Sequence, residues 1–153
     1  MNTFEFYKEQ EKQFVFTRFL HSDALKLGDF LSKLAVENNY PVAIEIEING
    51  DCIFRYMNDG AAQSNFEWIK KKANVVKRFQ MSSAAFAAKL EKKNVKFSDV
   101  YGSDLDYAAT AGAFPIRIEN VGTIGVVGVS GLDSDSDHEL IIKGLKKLSD
   151  ERK

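Results

Sequence analysis

The feature that most restricts the fold of this chain is the dipeptide Asn49-Gly50, set between two β-type runs in PVAIEIEINGDCIFRYM. Before it, Val42, Ile44, Ile46 and Ile48 alternate with Ala43, Glu45 and Glu47, the period-two pattern of a strand with one face on a core. Asn-Gly tolerates positive φ at both central positions of a two-residue turn, so the chain reverses here and returns as a second, antiparallel strand. A further reversal is expected downstream. Ala113 to Glu119 and Thr123 to Ser130 read as strands around Asn120-Val121-Gly122, a three-residue loop with glycine where left-handed backbone is required.

Two hairpins need helices to cover them, and the rest of the sequence supplies these. Ala24, Leu27, Leu31, Leu34 and Ala35 form a helical stripe within 22–39, with Ser22 or Asp23 as the expected cap. Phe66, Ile69, Ala73, Val76 and Phe79 form another within 62–79, whose opposite face is basic. Ser82-Ser83 caps a shorter helix running through Phe86 to Leu90, and residues 95–112 read as irregular. Leu140, Ile141, Leu145 and Leu148 place a last helix near the end, with Lys143, Lys146 and Lys147 towards its negative dipole end. Helices before, between and after two hairpins predict an α+β fold in one domain spanning residues 1–153.

Composition narrows the function classes. With 21 Lys+Arg against 22 Asp+Glu, the formal charge of −1 gives no field to draw in nucleic acid or an anionic membrane, so neither is an expected partner. No apolar run approaches the ~20 residues that span a bilayer. Cys52 is the single cysteine and reads as a small buried hydrophobe; with no internal disulfide to form, the expected setting is the cytoplasm.

Three stretches and two histidines invite chemistry. GLDSDSDHEL matches a calcium loop at Asp133, Asp135 and Asp137, but His138 stands where the turn glycine belongs and Gly144 where a bidentate glutamate belongs. The alternative is that the acids crowd a helix N-terminus and cap it, and no metal site is expected. GTIGVVGVSG has neither the Gly-x-Gly of a dinucleotide fingerprint nor the Gly-Lys-Ser/Thr of a phosphate loop. It reads as a buried strand whose glycines admit a close backbone approach or a ligand face. WIKKKANVVKR presents Lys70, Lys71, Lys72, Lys77 and Arg78 either as a solvated face or as a phosphate-binding patch. The two histidines, His21 and His138, lie in no recognisable nucleophile motif.

The segments Asp106-Tyr107-Ala108-Ala109, Phe114-Pro115-Ile116, Val129-Ser130-Gly131-Leu132 and Asp137-His138, supported by WIKKKANVV (68–76) and Ser82-Ser83, resemble the UPF0303 family. That family is a branch of the haem-degrading-domain-like superfamily, which also holds GlcG-like proteins, haem-binding sensors and the C-terminal domain of PduO-type proteins. The resemblance spans about residues 10 to 148 and implies a profilin-like α-β-α arrangement, an antiparallel sheet flanked by helices, assembled into homo-oligomers. It implies no particular activity, and whether the chain is an enzyme stays open. The chain departs from the pattern where the family commonly reads AAHGGSFPI. Here the string is AATAGAFPI, with Thr110 at the histidine position and Ala111 at the first glycine, so an imidazole ligand or base is missing there.

Two functions follow as expectations. The first is a small-molecule site, haem-like or otherwise, lined by Tyr107, Thr110, Gly112, Phe114 and Pro115 with Asp137 and His138; haem is the cofactor considered. The second is a non-enzymatic oligomeric scaffold for other proteins.

Overall fold

The Asn49-Gly50 reversal takes the expected shape, with φ of 52° and 86° at its two residues and Ile48 paired directly to Asp51. Around it the computed structural model describes residues 2–152. In chain order the elements are α1 (Phe4–Lys12), β1 (Val15–Phe16), α2 (His21–Glu37), β2 (Ala43–Ile48), β3 (Asp51–Met57) and α3 (Gln63–Phe79). They continue with α4 (Ser83–Lys93), α5 (Phe97–Tyr101), β4 (Ala113–Ile118), β5 (Gly122–Ser130) and α6 (Ser134–Glu151).

The strands form one five-stranded sheet in the order β1-β4-β5-β2-β3. Each neighbouring pair among β2, β3, β4 and β5 is antiparallel, and the two hairpins join through β2 and β5, where Ile44 faces Val129. β1 adds a short parallel pairing, Val15 to Arg117 and Phe16 to Ile118, and makes the sheet mixed at that edge. The β4–β5 loop carries positive φ at Asn120 (63°) and Gly122 (115°), so asparagine shares the strain expected of glycine alone.

Period two divides the sheet residues between two layers of helix. Ile44, Ile46 and Ile48 of β2, Phe114 and Ile116 of β4, and Val127 and Val129 of β5 point to α2 and α6, whose Leu27, Leu31, Ile141, Leu145 and Leu148 close the main core. A Cβ at Gly144 would sit 2.7 Å from a Leu31 methyl, so this glycine sets how closely α6 approaches α2. On the other face, Ala43 meets Phe66 and Ile69, while Ala113 and Val126 meet Ala73 and Val76. Gly128 lets α3 settle onto β5: a Cβ there would be 2.6 Å from Ile69. Of the two readings of the glycine strand, this is the close approach.

Several local expectations change. α2 starts at His21 with Leu20 as its cap, and the Asp23 carboxylate accepts the Leu20 N–H at 2.7 Å, so Asp23 works from inside the first turn. Cys52 is exposed on β3, not buried, because its strand ends the sheet. Part of the region read as irregular is the short α5, whose Phe97 and Tyr101 join Phe79, Phe86 and Tyr107 in an aromatic cluster beneath α3 and α4. Ser82 does cap α4, accepting the Ala85 N–H at 3.1 Å.

Candidate functional site

The helical spacing of α3 that buries Phe66, Ile69, Ala73 and Val76 carries a lysine at another inward position. Lys72 lies three residues after Ile69 and four before Val76, and it is only 4% exposed. The basic face read from the sequence is therefore not a single surface. Lys72 turns inward, Lys77 pairs with Glu47 at 2.7 Å, and the Arg78 guanidinium lies over the rings of Phe79, Tyr101 and Tyr107.

A buried ammonium requires a partner, and α6 provides it. Lys72 Nζ donates to Asp137 Oδ2 and to the Val129 carbonyl, each at 3.2 Å. Asp137, 2% exposed, accepts the Leu132 N–H at 2.9 Å on its other oxygen. Desolvation pushes the Lys72 ammonium below its ordinary pKa and the Asp137 carboxyl above its own; each partner's charge opposes that push.

The pair floors an open cavity of about 330 Å³ bounded by Asn65, Trp68, Thr110, Ser130 and Ser134. Asn65, in the first turn of α3, donates to Ser130 Oγ at 3.3 Å, and the single tryptophan, Trp68, is half-exposed at the rim. Thr110 is set in place by the strap before it: Ala108 N–H donates to the Lys71 carbonyl and Asn74 Nδ2 to the Asp106 carbonyl, docking 106–110 along α3. Gly112 then passes beside the pair with φ of 128°, and a Cβ on it would stand 2.5 Å from Lys72 Nζ and 2.8 Å from the Val129 oxygen. Only glycine suits that position.

A neighbouring cavity of about 260 Å³, between Tyr7, Ala84, Glu91 and Asp135, shares Thr110 and Ser134 with the first. A surface hollow of about 380 Å³ between α1 and α4 is bordered by the exposed Lys92–Glu5 pair and by the exposed Glu91, with no buried charged group in its lining.

Of the residues expected to form one site, Thr110, Gly112 and Asp137 come together here. Tyr107 lies in the aromatic cluster, stacked on Phe97 at 4.9 Å. Phe114 points into the main core, and Pro115 is buried within β4 opposite Val126. His138 is 1% exposed between Tyr7 and Phe114, its Nε2 2.6 Å from Gln10 Oε1 and its Nδ1 without a partner. Desolvation lowers its pKa to about 4, so the ring is neutral near pH 7.

The aspartate run divides its labour. Asp133 caps α6, accepting Ser136 N–H at 3.0 Å and Ser136 Oγ–H at 2.8 Å; Asp135 is exposed; Asp137 turns inward to Lys72. Among the described residues no three His, Cys, Asp or Glu side chains cluster as a metal site would need.

Residues 19–146 match the family described as haem degrading protein HbpS-like. A UPF0303 protein of Acidobacterium capsulatum is 38% identical over 141 residues, covering 92% of this chain and 86% of the relative. Among solved structures, the Ybr137w protein superposes with a TM-score of 0.89 at 29% identity, covering 97% of this chain and 88% of that one. A complex of PduOC with heme superposes with a TM-score of 0.68 at 16% identity, covering 84% and 93%, a likeness of fold.

Proposed function

The chain belongs to the haem degrading protein HbpS-like family, and from that premise we propose that it binds a small, neutral, polar molecule in the cavity floored by Lys72 and Asp137. The observation that carries this reading is a buried ion pair in contact with an open cavity. A buried lysine–aspartate pair is rarely a net gain in stability over apolar residues of the same volume, because desolvation offsets the attraction. Opening it onto a hollow bordered by the hydroxyl-bearing residues Thr110, Ser130 and Ser134 gives the pair a ligand to address.

Charge and size indicate the ligand class. Asp137 cancels Lys72, and Asp133 and Asp135 stand nearby, so the site offers no surplus positive charge to an anion. At about 330 Å³ the cavity lies at the small end of ligand sites, whose volumes run from roughly 300 to 1,000 Å³. The half-exposed indole of Trp68 provides a flat apolar wall.

The residues present do not fit haem. Its iron takes imidazole, thiolate, thioether or phenolate as axial ligand, and the lining holds none of these. Thr110 stands where the resemblance to the family pattern would place a histidine, Lys72 is held by Asp137, and His138 is closed off in the core. A haem titration should therefore give at most a weak Soret response.

Trp68 is the chain's single tryptophan and serves as the reporter. Titration with ethylene glycol, glycolaldehyde and haem should change its emission with the first two, and Thr110→Phe, which fills the cavity mouth, should abolish the change. A tight haem complex that persists in Thr110→Phe, or no response to either small probe, would overturn the assignment. The second outcome would favour the scaffold reading.

A further inference from the structure

We infer that Lys72 forms an imine with a small aldehyde or ketone admitted to this cavity, with Asp137 carrying the protons. The inference rests on the small-molecule reading above and deepens it by naming the reactive group of the ligand.

Three observations bear on it. The first is the position of the amine: Lys72 lies in the wall of an open cavity although its side chain is almost wholly buried. The second is its hydrogen bonding. Nζ has two protein acceptors, Asp137 Oδ2 and the Val129 carbonyl, for the three protons of an ammonium, so one direction is left for a ligand. The third is the partner. Asp137 touches the amine at 3.2 Å, within proton-transfer reach, and its other oxygen is fixed by the Leu132 N–H, so the carboxylate is held in place. Desolvation favours the neutral forms of both groups, and a neutral amine is what attacks a carbonyl carbon.

The step balances without an oxidant or reductant. The ammonium gives one proton to Asp137, and the amine lone pair forms a C–N bond to the carbonyl carbon. The C=O π pair moves to oxygen, which takes that proton from Asp137. The nitrogen then returns a proton to the carboxylate, which passes it to the new hydroxyl. The C–O bond breaks, water leaves, and the nitrogen lone pair closes the C=N bond. One carbonyl compound and one ammonium become one protonated imine and one water, and Asp137 ends as the carboxylate it began. Thr110, Ser130 and Ser134, each with a hydroxyl, border the same space, which favours a carbonyl compound that itself carries hydroxyl groups.

The test uses the full chain, glycolaldehyde as probe and sodium borohydride to reduce any imine to a stable secondary amine, followed by peptide mapping. Lys72 should be labelled severalfold more than the exposed Lys70 in the same sample, because its amine borders the cavity that holds the probe and has Asp137 beside it to move protons. Lys72→Arg should remove that label only. Thr110→Phe leaves Lys72 and Asp137 in place and should protect Lys72 while Lys70 still reacts. Asp137→Asn should slow labelling and change its pH profile. Circular dichroism confirms that each variant is folded.

Labelling of Lys72 no greater than that of Lys70, or unaffected by Thr110→Phe, would overturn the imine. Trp68 emission separates this failure from failure of the site. If glycolaldehyde and ethylene glycol both change the emission but Lys72 is not trapped, the imine falls and the binding cavity stands. If neither probe changes the emission and nothing is trapped, both fall.

Discussion

Acidification should destabilise this protein through His138, by an amount that follows from the environment of the ring. In the folded chain the imidazole is buried between Tyr7 and Phe114, with no acidic partner and an unpartnered Nδ1, and its pKa falls from 6.5 to about 4. The unfolded state binds a proton at about 6.5, so between these two values it holds more protons than the folded state and folding becomes less favourable as pH falls. The stability is fully present above pH 6.5 and is lost progressively down to about 4. At 1.36 kcal/mol per unit, the loss is about 3 kcal/mol. Urea unfolding at pH 7.5 and pH 4.5, at one protein concentration, measures it. Because carboxylates also titrate, the informative quantity is the difference between the native chain and His138→Leu, in which the slope assigned to the imidazole disappears. Gln10, partly exposed, can turn to water when its partner is lost, so the variant should fold at neutral pH. Parallel pH profiles for the two proteins would refute the reasoning.

Four further outcomes follow from the geometry. Removing one partner of the buried pair, as in Lys72→Met or Asp137→Asn, should cost on the order of 3–5 kcal/mol in denaturant unfolding; the double replacement Lys72→Met with Asp137→Leu should recover most of it. Gly112→Ala should cost about 1–3 kcal/mol, read as a lower melting temperature, because the methyl meets Lys72 Nζ and the Val129 carbonyl at positive φ; an unchanged melting temperature would mean the strap relaxes freely. Calorimetry with millimolar calcium should show no saturable heat, since Asp133 is engaged with Ser136 and Asp137 with Lys72, and a one-site isotherm lost in Asp135→Asn would contradict this. Light scattering after size exclusion should show a mass above the 17.2 kDa of one chain, because β3 ends the sheet with an unpaired edge; a monomer at micromolar concentration would remove the expectation of self-assembly.

The hairpins were legible because their information is local: Asn-Gly turn chemistry and alternating isoleucines need no knowledge of distant partners. The α3 stripe was legible for the same reason, and it held a clue that charge counting obscured. Lys72 shares the inward phase of Ile69 and Val76, and a lysine on a buried stripe calls for an acid across the core. Which acid it meets is not readable, since Asp137 comes from an element 65 residues away. The aspartate run was correctly seen as a helix start, with Asp133 its cap, but its alternate spacing concealed that Asp137 turns inward. The N-terminal elements gave little pattern. α1 buries Tyr7 and Glu11, an aromatic and an acid, and β1 pairs through only two residues. Thr110, Gly112 and Asp137 lie beside the cavity, whereas the alternation of β4 turns Phe114 into the main core, the phase of α6 buries His138, and Tyr107, before β4, is held in the aromatic cluster by Phe97.

The docking of the first helix also bears on the order in which a ribosome could deliver this fold. Glu11 of α1 accepts from Ser82 and from Arg117, the second of these 106 residues further along, and β1 completes its pairing only with the same late strand. The partners of Glu11 therefore follow it by 71 and 106 residues, so α1 cannot dock until both have been synthesised. Such long-range closure raises contact order and slows the final step of folding. At ordinary elongation rates of about 5–20 residues per second, the 106 residues from Glu11 to Arg117 take several seconds or more to make, and Tyr7, buried in the finished fold, is uncovered for that time.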